Sequence, residues 1–329
     1  MPRLYPLASK NVVLMRTPRY VFAVDAQTGN RLWRYDDFQS TLSDQAYSDL
    51  HGREFQNSGQ NGPTSWHQRI WNDVPYGQMS CDGERLYFIN KLGYSTSLRK
   101  LVLRNGIIDN PMGQKNHNEL VALDLATQGK RQWIVGGESG ENEPRMSAGF
   151  FLGAPLPIAE HLYALVEING EIRLTVLDAA TGQERWTFFT DGPVRFAPAA
   201  WEQRVYVTSD DGYLYCLSAK NGRLVWKFRG GPDNRMVLGN DRMTSAWPAR
   251  GGPVVSDDVV YFGAGVWPTD GFHLHALDAR DGKVLWSNKD SGSIYMAQPH
   301  EGAFARSGVS AQGYLVAVGA NLFMPTGRA

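Results

Sequence analysis

The stretch LYCLSAKNGRLVW, residues 214–226, decides how the whole chain is read, because near copies of it recur four more times. They are VFAVDAQTGNRLW ending at Trp33, LVALDLATQGKRQW at Trp133, LTVLDAATGQERW at Trp186 and LHALDARDGKVLW at Trp286. Gly29, Gly129, Gly182, Gly222 and Gly282 each precede their tryptophan by the same four positions. Asp25, Asp178 and Asp278 precede the glycine by four, Asp124 by five through one extra residue, and Ser218 takes the acid's place in the fourth copy. Spacing and chemistry that recur together mark a repeat architecture.

Each copy reads as a hairpin. Alternating apolar residues form one strand, Asp or Ser bonds its own backbone at the turn, and Gly supplies the positive φ that reverses the chain. The tryptophan then sits on the returning strand, where its ring covers a neighbouring sheet and its N–H finds a carbonyl. Glycine and tryptophan are therefore read as structural. Two more strands precede each hairpin, most clearly in VRFAPAAW, RVYVTSD, YLYCLSA and RLVWKFR over 194–229. Four short antiparallel strands in so few residues make one propeller blade.

The same order runs from LYPLAS through VVLMRT to Trp33, from FFLGAPLPI through HLYALVE to Trp186, and from ARGGPVVS through VVYFGAG to Trp286. A further blade, YGQMSCD and RLYFIN followed by LVALDL and RQWIV, is split by an insertion. The expectation is an all-β chain, a β-propeller of four-stranded antiparallel blades forming one domain over 1–329. Five full blades fall at about 4–36, 76–136, 149–190, 194–229 and 249–289, with a partial sixth at 303–329 read from GVSAQGYLVAVG and NLFMPTG. Insertions are expected at 37–75, 91–118 and 230–248. An incomplete last blade leaves unpaired edges, so the chain is expected to be a segment of a longer protein.

Composition removes several function classes. The 33 Lys plus Arg balance 33 Asp plus Glu, so no global field draws a nucleic-acid backbone or an acidic membrane surface. No apolar run reaches the roughly 20 residues of a membrane helix, and Pro2 and Pro6 break the N-terminal segment before an export-signal core develops. Gly (35), Trp (10), Tyr (14) and Phe (14) are abundant, which suits short strands joined by tight turns. Cys81 and Cys216 stand far apart, neither in a Cys-x-x-Cys pair.

The recurring phrase, ALD, two variable residues, TG, three variable residues and W, is similar to the tryptophan repeat of the PQQ-like (pyrroloquinoline quinone) β-propeller family. The resemblance covers most of the chain through five copies. FFLGAPLPI, NDRMTSAWPARGGPVV and QGYLVAVG further resemble large bacterial proteins built on these repeats. The family includes quinoprotein alcohol and sugar dehydrogenases and also binding scaffolds such as the outer-membrane barrel-assembly lipoprotein. Membership thus implies a fold, while chemistry must come from a site.

The resemblance implies PQQ with calcium as cofactor in the enzymes, held by carboxylate and amide ligands, a basic residue and a catalytic Asp, often beside adjacent disulfide-bonded cysteines. Adjacent cysteines are absent here, and no residue is carried over. The resulting expectation is a scaffold for protein or small-molecule partners, including the remainder of its own polypeptide. The alternatives are a PQQ-dependent oxidoreductase domain and a carbohydrate-binding propeller. A periplasmic, cell-envelope or secreted location follows from the resemblance.

Residues that do not repeat carry the candidate sites. The insertion at 37–75 holds His51, Trp66, His67 and Trp71, an aromatic and basic surface suited to a glycan, peptide or protein. The segment RGGPDNRMVLGNDRMTSAWPARGG, 229–252, leads into a blade's first strand and is expected at one mouth of the channel. With Arg195, Trp267, His300 and Arg306 it offers Arg235, Arg242, Trp247 and Arg250 for an anionic or planar ligand, or for bonding blade carbonyls. His273 and His275, two apart on a strand, face one side but lack an evident third metal ligand. Glu141 and Glu143 read as solvated turn residues.

Overall fold

The computed structural model describes residues 6–17, 20–36, 78–90, 117–239, 242–267, 270–289, 294–297, 302–308 and 313–324. The expected insertion at 37–75, and residues 91–116 of the second, lie outside the described residues. The chain divides into two compact units. One comprises 1–160, 167–169 and 178–183; the other comprises 161–166, 170–177 and 184–329.

In the first unit, Leu7–Ser9, Val12–Arg16, Val21–Asp25 and Arg31–Tyr35 form a four-stranded antiparallel sheet in sequence order. Met79–Cys81, Arg85–Asn90, Glu119–Asp124 and Lys130–Gly136 form the next, extended by the short strand Gly140–Glu141. The two sheets share a core in which Leu14, Val21 and Ala23 meet Leu86, Phe88, Val121 and Leu123. The inner strands Arg85–Asn90 and Glu119–Asp124 are buried on both sides, whereas most of Arg31–Tyr35 and the start of Lys130–Gly136 are exposed. RLYFIN accordingly reads as a continuous apolar run rather than an alternation.

The third repeat supplies the strands His161–Ile168, Glu171–Asp178 and Glu184–Phe188. In the second unit, Ala199–Trp201, Arg204–Thr208, Tyr213–Ser218 and Leu224–Arg229 make one antiparallel blade. Gly251–Ser256, Val259–Ala264, His273–Asp278 and Val284–Asn288 make another. Tyr206, Leu214 and Cys216 of the first of these pack with Val260, Phe262 and Leu277 of the second. The all-β propeller class is thus realised blade by blade.

The five turns share one geometry. Each glycine takes φ between +69° and +75° and donates its N–H to the main-chain oxygen of the repeat's Asp or Ser at 2.8–2.9 Å. Asp25 Oδ1 accepts from the N–H of Gln27 and Thr28 at 3.0 and 2.7 Å, and Asp178 Oδ1 does the same for Ala180 and Thr181. Each returning strand then bulges at the residue before its tryptophan. Ala23 pairs with Trp33 but Val24 with Arg31, and Cys216 pairs with Trp226 but Leu217 with Leu224. The bulge sends Leu32, Val225 and Leu285 outward, about half exposed, and turns the tryptophan to the packing side.

There four of the five rings meet the glycine of the next repeat. A Cβ built on Gly129 would lie 2.5 Å from Trp33, on Gly182 2.8 Å from Val135 and 2.9 Å from Trp133, on Gly222 2.5 Å from Trp186 and on Gly282 2.8 Å from Trp226. The indole N–H groups of Trp133, Trp186 and Trp226 donate to the carbonyls of Ala179, Ala219 and Arg280, each at 3.1 Å. The other side of three rings is set by a tyrosine of the same repeat, Tyr87, Tyr163 or Tyr206, at 5.9–6.1 Å.

Four features differ from the sequence reading. Segment 230–248, expected as an insertion, contains a hairpin of Met236–Gly239 and Arg242–Ser245. Phe304–Ser307, inside the expected partial blade at 303–329, pairs with Ile294–Ala297, which precedes that expected boundary. GYLVAVG is cut in two at Leu315: Gly313–Tyr314 joins Gly251–Gly252 in parallel, and Val316–Val318 pairs with Asn321–Phe323. Glu143 is buried, not solvated, because its carboxylate caps the 3-10 turn Pro144–Met146 by accepting from the Arg145 N–H at 3.2 Å.

The ring contact predicts an asymmetry between otherwise equal glycines. Gly29→Ala meets only the cost of a left-handed φ, about 1 kcal/mol, whereas Gly222→Ala adds a steric clash and costs about 3 kcal/mol. Urea midpoints of the two variants measure this, with Gly222→Ala the lower.

Candidate functional site

Asp210 is the carboxylate on which two basic residues of the second unit, Arg195 and Arg250, converge. It sits in the turn between Arg204–Thr208 and Tyr213–Ser218 and is 1% exposed. The SDDG sequence makes the turn tight: Gly212 takes φ +91° and donates to Ser209 O at 3.0 Å. The Asp210 N–H donates to Pro193 O at 2.9 Å, and its carbonyl accepts from Ser245 N–H at 2.8 Å. Ala249 N–H donates to Ser209 O at 3.1 Å. Three non-repeating segments are thereby tied together through main-chain bonds.

That frame brings Arg195 and Arg250 to one carboxylate. Arg195 Nε donates to Asp210 Oδ2 at 2.6 Å. Arg250 binds in two-pronged fashion, Nε to Oδ1 and Nη2 to Oδ2, both at 3.0 Å. Two permanent cations on one anion leave a local excess of one positive charge. The Arg195 and Arg250 side chains remain 37% and 24% exposed, and each guanidinium has more N–H groups than Asp210 accepts.

The neighbouring Asp211 is arranged differently. Its carboxylate accepts from the Tyr215 hydroxyl at 2.7 Å, Tyr213 N–H at 3.0 Å and Asp191 N–H at 3.2 Å. Burial raises its carboxyl above the ordinary Asp value, with these bonds opposing, and burial likewise raises the Tyr215 hydroxyl. Asp211 thus holds the turn rather than a ligand.

Arg235 and Trp247 form a second group. The Arg235 guanidinium lies 4.7 Å from the Trp247 ring centroid and 3.4 Å from Asp270 Oδ1. The Trp247 indole N–H donates to Asp270 O at 2.5 Å, and the ring is 5% exposed. Trp267, 53% exposed, precedes Asp270 on the same loop. Arg242 and Arg306 lie on hairpin strands with their side chains outside the description, and His300, His51, Trp66, His67 and Trp71 lie outside the described residues. The arginines bond carboxylates where blade carbonyls were one expectation, because Asp210 and Asp270 offer charged acceptors.

His273 and His275 share a side, their rings parallel at 6.3 Å. His275 Nε2 donates to the Gly230 carbonyl at 2.8 Å, so Nδ1 accepts from the Ser287 hydroxyl at 2.8 Å. Both nitrogens are therefore occupied. Burial lowers the His275 pKa to about 4 and also lowers that of His273.

The calcium-quinone implied by the family resemblance needs an oxygen-rich cage. Among the described residues, no three His, Cys, Asp or Glu side chains gather into a group able to hold a metal ion. Both oxygens of Asp210 are spent on guanidinium groups. Cys81 and Cys216 are separate free thiols, and burial pushes Cys216 up to about 12. The described residues do not fit that group.

A histidine neutral in the fold but protonated when unfolded makes stability fall with acid. Unfolded His275 takes up its proton near pH 6.5 while the native ring resists until about 4. Stability is full above the upper value and declines between the two, by on the order of 3 kcal/mol for this one group. Thermal midpoints measured from pH 7 to pH 4 should fall less steeply in His275→Gln than in the parent.

Comparison with known proteins adds the following. A family model described as "Outer membrane protein assembly factor BamB" matches residues 116–289, just over half of the chain. The "Alcohol dehydrogenase (quinone), dehydrogenase subunit" of Gluconobacter oxydans (strain 621H) is 31% identical over 147 residues, 41% of this chain and 18% of that protein. The same subunit of Gluconacetobacter polyoxogenes is 31% identical over 147 residues, 41% of this chain and 19% of that protein. The chain thus matches under a fifth of the length of these relatives. Among solved structures, BamB from Moraxella catarrhalis gives a TM-score of 0.48 at 16% identity, covering 99% of this chain and 94% of that one. A europium-containing methanol dehydrogenase gives 0.49 at 12% identity, covering 92% and 54%.

Proposed function

Since the chain belongs to the PQQ-repeat family described as outer membrane protein assembly factor BamB, we propose that it is a binding scaffold whose recognition point is the Arg195–Asp210–Arg250 group. The observation that carries this reading is the 1% exposed Asp210 gripping two partly exposed guanidinium groups. A buried carboxylate with rigid main-chain anchors fixes both arginines before any ligand arrives, so little side-chain entropy is lost on binding. The unspent N–H groups and the excess positive charge suit a carboxylate or other anionic group on a protein or small-molecule partner. As a family trait, a periplasmic or envelope location accompanies this reading.

The two arginines are expected to separate on substitution. Arg195→Ala leaves Asp210 doubly bonded by Arg250 and removes mainly ligand affinity. Arg250→Ala strips the two-pronged partner from a buried carboxylate and also lowers stability, by on the order of 3 kcal/mol. Titration of a fluorescent poly-glutamate peptide tests the site: binding weakened at least about tenfold in Arg195→Ala, with an unchanged melting temperature, is the expected result. No binding by the parent, or equal binding by the variant, overturns it.

A second reading, a segment of a quinone-dependent alcohol dehydrogenase, draws on the 31% identity over 147 residues. Retention of PQQ and calcium after dialysis, with ethanol-dependent dye reduction, would displace the scaffold reading.

A further inference from the structure

Arg195 sits in an irregular stretch of chain, so its place against Asp210 depends on how the main chain is held on either side of it. On the N-terminal side the anchor is the Asp210 turn itself, whose N–H donates to Pro193 O at 2.9 Å. On the C-terminal side it is a side chain 117 residues away: the Ala197 N–H donates to the Tyr314 hydroxyl at 3.0 Å. The Tyr314 ring also meets Phe196 edge to face, with centroids 5.4 Å apart and planes at 85°. Phe196 and Ala197, the two residues that follow Arg195, are thus both fastened to Tyr314.

The same tyrosine is fastened to the strand that leads on from Arg250. Gly313 N–H donates to Arg250 O at 3.3 Å and Leu315 N–H to Gly252 O at 3.4 Å, so Tyr314 lies between two rungs of this pairing. Its partner in register is the buried Gly252. A Cβ built on Gly252 would lie 2.8 Å from Tyr314 Cδ1 and 3.3 Å from Phe196 Cβ. The bare glycine admits both neighbours at once, and any side chain there would push one of them away.

We infer that Tyr314 is a positioning residue for the Arg195–Asp210–Arg250 group, a clamp that holds the segment of Arg195 at a fixed separation from the strand of Arg250. Arg195 gives Asp210 one bond, from Nε, whereas Arg250 gives two. The singly bonded guanidinium has the greater freedom to swing. Tyr314 limits that freedom by fixing the main chain beneath it, which lowers the ordering cost when an anionic group arrives. Recognition by the two arginines is therefore set in part by a residue that does not touch the ligand. The inference rests on the scaffold reading for its ligand but not for its geometry, since every contact named is present without one.

Tyr314→Phe removes the hydroxyl and keeps the ring, and it opens no cavity because Tyr314 is 54% exposed. In the ligand-free whole chain with isotope-labelled arginine, nuclear magnetic resonance should show the Arg195 Nε–H exchanging with solvent about fivefold faster in the variant, while the Arg250 Nε–H keeps its rate. Affinity for the fluorescent poly-glutamate peptide should fall about fivefold, with an unchanged melting temperature. Gly252→Ala disturbs the clamp from the other side and should speed the same exchange with the hydroxyl still present. An Arg195 Nε–H rate unaltered by Tyr314→Phe, or rates that rise equally at both arginines as a general loosening would give, overturns the proposal. If the parent binds no peptide, the scaffold reading falls, and the exchange rates, measured without peptide, still decide the clamp. Should Gly252→Ala unfold, Tyr314→Phe decides the question alone.

Discussion

An indole ring resting on a glycine is the contact on which the described blades depend. It requires several things at once: no side chain at the turn, a left-handed backbone to present the bare Cα, and a bulge that turns the tryptophan toward its neighbour. Substituting the glycine fills the ring's seat, and removing the bulge aims the ring elsewhere. The tyrosine behind the ring then fixes its tilt, as Tyr206 does for Trp226 at 5.9 Å. Stability in such a chain is a sum over neighbours, each blade braced by the next through one ring and one N–H bond.

The arginine group uses that frame without belonging to the repeat. Asp210 stands in a turn of one blade, Arg195 in the approach to that blade and Arg250 at the entry to the next, so their meeting is set by blade-to-blade packing. The adjacent carboxylates divide their work by environment. Asp210 faces two guanidinium groups, whereas Asp211 is closed in by a phenol and two backbone donors. One position therefore carries charge toward solvent and the next locks the turn.

Much of the fold was legible because the repeat encodes it redundantly: five glycines, five tryptophans and their spacing agree. The bulge was not legible, since Leu32 and Leu285 look like any apolar strand residues until the pairing register is seen. The pairing of 304–307 with 294–297 was not legible either, because no repeat phrase covers those residues. At the site, Arg195 and Arg250 were identified as partners while Asp210 was missed. Asp-Asp-Gly between strands reads as a solvent turn, and only burial shows that one acid is an anchor. Trp247 and Arg235 do meet, but over Asp270, whose role no local pattern announces.

The second repeat carries one residue more than its fellows between acid and glycine. Gln128 absorbs it by adopting φ +58°, and Gly129 still donates to Asp124 O at 2.9 Å and still lies under Trp33. The interval from acid to glycine is therefore elastic, while that from glycine to tryptophan is rigid. In genetic terms, an in-frame codon gained in the first interval leaves the architecture readable, and one gained in the second unseats a ring. Changes of length should therefore appear on the acid side of the glycine, as the extra residue of the second repeat illustrates.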